Sequence, residues 1–306
     1  MFKQYKKQLI CCLAVLLASI WAVWMLISQK LTLHQRFALG LVRPDVISVS
    51  MPLPGSMSET DAQNTFEKLT AGFEKQYPGF GIDLKIYTDA SAMPEDSDMY
   101  LNGEDALPES ADLSEICQEI DMQNYLTDFS AIKQGIPLSF SIPVLYYDMA
   151  DMNLFQQLAG KDSIELKNLP ETAFRDSVDD AFFQEFLNHP EYPVLDNSAR
   201  ICQAEQNPAS SGRIHMIPVT INGGYRKIYH NFCEVSAQSD KNKQNIAMLW
   251  IEYLLSEEAQ TILFAEHYGE LPLHESAFDT AVSQHREFRR LEILKSQPET
   301  EDISDE

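Results

Sequence analysis

With 306 residues, 44% of them apolar, the chain is long enough to bury one large core or two smaller ones. Its 46 acidic residues against 23 basic ones give a formal net charge of -23, which argues against nucleic acid as a partner, because phosphate binding needs clustered Lys and Arg. Of five cysteines, Cys11 and Cys12 fall in an apolar stretch; the odd set Cys117, Cys202 and Cys233 gives no closed disulfide framework and leaves a Cys202–Cys233 bridge open.

Lys3, Lys6 and Lys7 precede an uncharged run from Leu9 to Ile27. At about 1.5 Å rise per residue, such a helix covers the hydrocarbon core of a bilayer, which is about 30 Å thick. A cleaved signal peptide is the competing reading. Its apolar region is shorter, about 7–15 residues, and here no small-x-small cleavage site follows directly. The sequence predicts a cytoplasmic tail over 1–8, a transmembrane anchor over 9–28 and a juxtamembrane linker over 29–44. The lysines keep the N-terminus in the cytoplasm, so the chain is read as a single-pass membrane protein with its main domain outside the cell.

Val46–Ser50 is rich in β-branched residues and reads as a buried strand. Ser58 or Thr60 caps a helix through Lys75, whose apolar face carries Phe66, Leu69 and Phe73. Tyr77-Pro78-Gly79 stops it, and Ile82–Tyr87 alternates as a second strand, giving a βαβ unit. A strand at Asp98–Leu101, a solvated acidic loop and a short helix at Leu113–Ile120 follow. If Gly135–Asp148 is a strand, Tyr146 and Tyr147 point to its opposite faces.

Residues 149–192 read as mostly helical, with periodic segments at Met152–Leu158 and Glu171–Leu187. Tyr192–Asp196 is a short strand, Asn197–Gln206 a helix, Ile214–Val219 a strand, and Asn222-Gly223-Gly224-Tyr225 a turn. Tyr229–Val235 leads back towards the first strands. Ser239 or Asp240 then caps a helix whose stripe of Ala247, Trp250, Ile251 and Leu254 is widened by Met248, Leu249, Tyr253 and Leu255, which demands deep burial. Ser256 caps a second helix, with Glu257 and Glu258 at its positive end. Beyond Pro272 lies a helical stretch with Arg286, Arg289 and Arg290, then an acidic tail over 297–306 that reads as disordered.

The order of a polar "SDKNKQ" run, the helix pair "LWIEYLLSEEAQ" and the closing "YGELPL" resembles the C-terminal signature of family 1 extracellular solute-binding proteins, the substrate-capturing subunits of ABC importers. The "GIP" to "LYYD" stretch at 135–148 resembles the family's strand that passes from one lobe to the other. The first βαβ unit with its "YPG" turn and the Leu126–Phe129 segment are similar too. One departure stands out: only eight residues, Ala90 to Ser97, lie where family members carry another helix. The resemblance implies a two-lobe periplasmic-binding-protein-like (type II) α/β module. Its lobes are read as 45–142 and 143–228, with 229–272 returning to the first lobe and 273–296 forming a C-terminal helical segment. It also implies capture of a small solute, a sugar or oligosaccharide favoured, for delivery to ABC permease subunits. A membrane-tethered sensor or interaction module with the same fold and no transport role is the alternative.

Enzyme chemistry finds no motif. There is no HExxH, GxSxG, GxxxxGK[ST] or strand-borne GxGxxG, and His189, His215, His230, His267, His274 and His285 are scattered. No metal site and no cofactor are expected. A binding cleft needs only aromatic walls, loop amides and a few polar side chains. The positions singled out for a ligand are Asp98, Tyr146, Asn197, Asn222, Gly224 and Tyr225, because Tyr faces can stack on sugar C–H surfaces while Asp and Asn bond hydroxyls.

Overall fold

The computed structural model describes residues 31–53, 58–88, 94, 96–102, 109–129, 132–133, 135–151, 156, 158, 160–169, 174–177, 179–210, 212–265, 270–284 and 287–295, together with Leu17 and Ser19. The predicted span over 9–28 lies outside these residues apart from Leu17 and Ser19, which are helical. Among the described residues no helix is long and apolar enough to cross a membrane. The acidic tail over 297–306 also lies outside them.

The chain divides into two compact units, Met1–Pro44 and Asp45–Glu306. In the first, the segment read as a linker contains a short helix, α1 (Leu33–Ala38). Its start is a capping box: the Thr32 hydroxyl accepts from the Gln35 amide (3.3 Å) and the Gln35 side chain accepts from the Thr32 amide (3.1 Å). Gly40, at φ 67°, ends it, its amide bonding the Phe37 carbonyl while the Leu41 amide bonds Arg36.

The second unit opens with the expected βαβ. β1 (Val46–Pro52) runs parallel to β2 (Gly81–Tyr87), in the register Val49 opposite Leu84. Between them α2 (Glu59–Gln76) is capped by Ser58, whose hydroxyl accepts from the Asp61 amide at 3.2 Å. β3 (Met99–Asn102) adds on the other side of β1, and β11 (Phe232–Val235) closes the order β11-β3-β1-β2. β11 is antiparallel to β3, so the long excursion between them returns to the sheet it left.

Two helices cover this sheet, α2 on β2 and α6 (Lys241–Leu255) on β1 and β11. Phe73 of α2 meets Trp250 of α6 edge-on at 5.1 Å, and Trp250 stacks on Tyr253 at 5.5 Å. Burying such side chains stabilises by about 1.5–3 kcal/mol each, with roughly 0.5–1.5 kcal/mol more for favourable ring pairs. Gly72 permits the approach, since a Cβ there would fall 1.9 Å from the Tyr253 hydroxyl. Asp240, rather than Ser239, caps α6, its carboxylate accepting from the amides of Asn242 and Lys243. The Ser256 hydroxyl accepts from Ala259 at the head of α7 (Glu257–Ala265).

The stretch 135–148 departs from the single strand expected. It is two strands, β4 (Ser139–Ser141) and β5 (Pro143–Asp148), parted at Ile142. Pro143 offers no amide to continue a ladder, while Ser198 occupies both polar groups of Ile142: its hydroxyl accepts from the Ile142 amide (3.2 Å) and its amide donates to the Ile142 carbonyl (2.8 Å). β4 joins β10 (Ile228–His230) and β12 (Leu271–Pro272) in a small sheet of order β10-β4-β12. β5 is the middle strand of the order β6-β9-β5-β8-β7, formed with β6 (Ile164–Glu165), β7 (Arg175–Asp176), β8 (Val194–Asn197) and β9 (Ile214–Thr220).

The helix expected over Glu171–Leu187 is corrected in its first half. Arg175 and Ser177 donate to the carbonyls of Pro193 and Leu195, making β7 an edge strand beside β8. The Arg175 guanidinium lies 3.9 Å over the Tyr192 ring. Helix α4 (Asp180–Asn188) begins only at Asp179, whose carboxylate accepts from the Phe182 amide at 2.7 Å. Other helices among the described residues include α3 (Ser114–Glu119), α5 (Ile201–Gln206) and α8 (Glu275–Gln284), the last followed by a 3-10 stretch over Glu287–Lys295 that packs on β9. Cys117, Cys202 and Cys233 are free, buried thiols, so the Cys202–Cys233 pairing left open by the count does not form.

Candidate functional site

In open α/β sheets, ligands sit beyond the carboxyl ends of the parallel strands. For the four-stranded sheet these ends are Pro52, Tyr87 and Asn102. For the five-stranded sheet, the edge nearest the crossing at Ile142 is set by register: Pro143 lies opposite Asn197, and Glu165 opposite Thr220. The chain passes between the three-stranded and the five-stranded sheet first through Ile142 and again between Thr220 and Ile228.

Five of the six predicted site residues come to the five-stranded sheet. Asn197 ends β8 on one side of β5, while Asn222, Gly224 and Tyr225 follow β9 on its other side. Tyr146 lies further in, opposite Val194 and Met216. It is fully buried, meets Phe183 edge-on at 5.0 Å, and donates its hydroxyl to the Asn197 carbonyl at 2.9 Å. Burial, reinforced by Asp196, pushes its phenol well above the usual range. Tyr147 points to the opposite face, among Leu145, Leu158, Ile217 and Val219, and accepts from Arg290 at 3.1 Å.

Asn197 uses its side-chain oxygen to accept from the Ala199 amide (3.0 Å), which caps the 3-10 turn Ser198–Arg200 ahead of α5. Asn222 is exposed and Tyr225 buried. Between them Asn222 and Gly223 take φ of 54° and 83°, and Ile221 and Gly224 bond each other's backbone in both directions. These are the marks of a type I′ turn, which Asn-Gly favours.

Asp98 belongs elsewhere. It stands at the amino end of β3, in the other sheet, with both carboxylate oxygens occupied. Oδ2 accepts from the Ser48 amide (3.0 Å), the Ser48 hydroxyl (3.1 Å) and Lys243 Nζ (2.9 Å), and Oδ1 accepts from the Ser239 hydroxyl (2.7 Å). Burial alone would raise its pKa; these bonds outweigh that and hold the carboxyl below the usual range.

Several polar groups at the end of β6 and around the three-stranded sheet were not singled out by sequence. Glu165, at the end of β6, accepts from the Thr220 hydroxyl (2.8 Å) and the Gly223 amide (3.2 Å). The Thr220 bond, with help from Gly223, Lys167 and Asn222, lowers its pKa against the opposing effect of burial. Ser139, Asn231 and Glu270 bind one another: Ser139 donates to Glu270, and the Asn231 amide group reaches Glu270 (2.5 Å) and the Ser139 hydroxyl (3.0 Å). Beside them, Ser141 and His230 Nε2 are 2.8 Å apart. The Lys227 ammonium bonds the Leu126 carbonyl and lies 5.5 Å over the Phe140 ring. Only Asn231 left a local signal, since Asn tolerates the left-handed backbone it adopts at φ 56°. The partners of Glu165 lie 55 and 58 residues away. Among the described residues, no three metal-ligating side chains converge.

No family model and no curated protein matches the sequence. Solved structures do match. The ligand-free maltodextrin-binding protein of L. casei BL23 superposes with a TM-score of 0.59 at 13% identity, covering 84% of this chain and 87% of its own. UgpB from Mycobacterium tuberculosis, in complex with glycerophosphocholine, gives 0.56 at 12%, covering 84% and 88%. Maltose-bound MalE3 of T. maritima gives 0.55 at 12%, covering 84% and 90%. The chain has the two-lobe solute-binding fold. The identities are too low to carry any side chain's role across.

Proposed function

We propose that this chain is an extracellular solute-binding protein that captures a small saccharide between two lobes and presents it to ABC permease subunits. The match to the solute-binding fold over 82–84% of the chain carries the reading, because the matched structures include complexes with maltose and with cycloalternan and a chitin oligosaccharide binding protein. One lobe comprises 45–142 with the return segment 229–272, the other 143–228, and 273–296 is the C-terminal helical segment. Asn197, Asn222, Gly224 and Tyr225 form the ligand edge of the second lobe, with Tyr146 holding Asn197 from beneath. Asp98 stands apart from this edge and fixes the return segment to the first sheet. No catalytic step is assigned to it.

The N-terminal run over 9–28 holds the chain at the membrane, with the binding module outside the cell. Its uncharged length supports this. Retention of the N-terminal peptide, read by mass spectrometry on protein that resists alkaline extraction from membranes, tests the anchor.

Thermal unfolding of the full chain in detergent, against maltodextrins, other oligosaccharides, peptides and polyamines, tests the binding. A ligand at about 100 times its dissociation constant adds about 2.7 kcal/mol, which raises the midpoint by several degrees. A shift with saccharides alone supports the proposal. A cooperative transition that nothing moves favours the tethered sensor or scaffold instead.

A further inference from the structure

We propose that Glu165 is the positioning residue of the ligand edge, holding the Asn222–Tyr225 turn in the shape a hydroxylated ligand meets. The ligand half of this proposal rests on the binding reading above; the positioning half does not.

β6 is a two-residue edge strand, and Glu165 is its last residue, opposite Thr220. One carboxylate oxygen, Oε2, takes two donors from the segment that leaves β9: the Thr220 hydroxyl just before the turn and the Gly223 amide within it. The other oxygen lies 3.7 Å from Lys167 Nζ. The turn needs such support. A two-residue loop in a hairpin is held by the ladder that continues on both sides of it. Here Ile221 and Gly224 form an isolated bridge, and the chain departs after Tyr225 towards β10 in another sheet. Two consecutive residues sit in the left-handed region, where only a small part of backbone space is open to Asn. A charged acceptor bonded to Gly223 selects this conformation over the alternatives available to a Gly-Gly pair. Asn222 is thereby presented to solvent and Tyr225 is set in its buried position. A carboxylate whose acceptor capacity is directed into the turn acts on a ligand through the turn rather than by contact.

Glu165→Ala and Glu165→Gln in the full chain separate these roles, because Gln keeps an acceptor oxygen and loses the charge. The first readout is the Gly223 amide in the nitrogen–proton spectrum of the ligand-free protein. Glu165→Ala should move this resonance and speed its hydrogen exchange about tenfold, with Glu165→Gln close to the original. An unmoved Gly223 in Glu165→Ala overturns the proposal. The second readout is maltotriose affinity by calorimetry. Glu165→Ala should weaken it about tenfold and Glu165→Gln by no more than about threefold. Equal loss in both variants with Gly223 undisturbed would make Glu165 a direct ligand contact and sink the positioning role. If maltotriose does not bind the unaltered protein, it is the binding reading that loses support, and the Gly223 resonance decides the role of Glu165 alone.

Discussion

The carboxylate of Asp98 and the ammonium of Lys243, 145 residues apart in sequence, meet at 2.9 Å at the amino end of β3. With Ser239 they tie the head of α6, the helix that follows the returning strand, to the first sheet. The pair is mostly shielded, with Asp98 the more buried partner. Asp98→Asn should therefore lower stability by about 2 kcal/mol, read as a midpoint about 5 °C lower. The pH dependence has a definite sign. The folded pKa of Asp98 is depressed, so its contribution is complete above the unfolded value of about 3.9 and is lost as pH falls through the folded one. Lys243 is raised, chiefly by its bond to Asp98, so its share is lost only as pH climbs past about 10.4. Urea unfolding between pH 2 and 6 should show the original protein and Asp98→Asn converging at the acid end. A constant gap would contradict the ionic account.

Gln260 is a second pin, wholly inside the protein. Its side-chain nitrogen donates to the carbonyls of Leu138 (3.1 Å) and Leu254 (3.0 Å), and its oxygen accepts from the Leu273 amide (2.9 Å). One side chain thus joins the approach to β4, the end of α6 and the start of the C-terminal segment. Gln260→Leu keeps the volume but strands three buried backbone groups, each costing about 1–3 kcal/mol. The expected loss is about 3 kcal/mol or more in equilibrium unfolding. A loss below about 1 kcal/mol would mean that the backbone finds other partners.

What could be read in the sequence follows from range. The βαβ unit, the buried stripe of α6 and the Asn222–Gly223 turn rest on local rules of spacing and capping, and each lies where those rules put it. The break at Ile142 has a local sign in Pro143, which lacks an amide, but it is completed by Ser198, 56 residues away, which no pattern within 135–148 announces. Residues 171–178 have a helical rhythm of apolar side chains, yet the open edge of β8 takes Arg175 and Ser177 into a ladder. For the candidate site, residue type was enough to single out Asn222 and Tyr225 as turn residues. The carboxylate bonded to that turn, Glu165, could not be singled out, because its partners arrive from a distant segment.

The three described cysteines should be chemically silent while the protein is folded. Burial drives the Cys117 thiol up to about 11, with Asp112 adding to the effect. Burial likewise raises Cys202 and, well above its ordinary value, Cys233. At pH 8 a thiol of pKa about 11 is ionised about one part in a thousand, and the thiolate is the reactive species. Alkylation followed by peptide mapping should leave Cys117, Cys202 and Cys233 unmodified in buffer and modify all three in urea. A reducing agent should not change the melting temperature. Fast labelling of Cys202, the least buried of the three, would show that α5 opens readily.

The last test concerns the backbone of the turn rather than its side chains. Asn222 at φ 54° and Gly223 at φ 83° both lie where a β-carbon is penalised, by roughly 1–2 kcal/mol per residue. Asn escapes part of that penalty, and Gly all of it. Asn222→Gly should then melt within about 1 °C of the original, whereas Asn222→Val should lose about 1 kcal/mol or more and Gly223→Ala a similar amount. Nothing lies within 4 Å of a Cβ added at Gly223, so a loss there reports backbone conformation and not a clash. If the turn forms the ligand edge, saccharide affinity should divide the variants differently. Asn222→Gly, stable but without its amide group, should bind more weakly, because the hydroxyl-bonding side chain is gone while the fold is intact. Unchanged affinity in Asn222→Gly would remove Asn222 from the site and leave Asn197 as its polar contact from the five-stranded sheet.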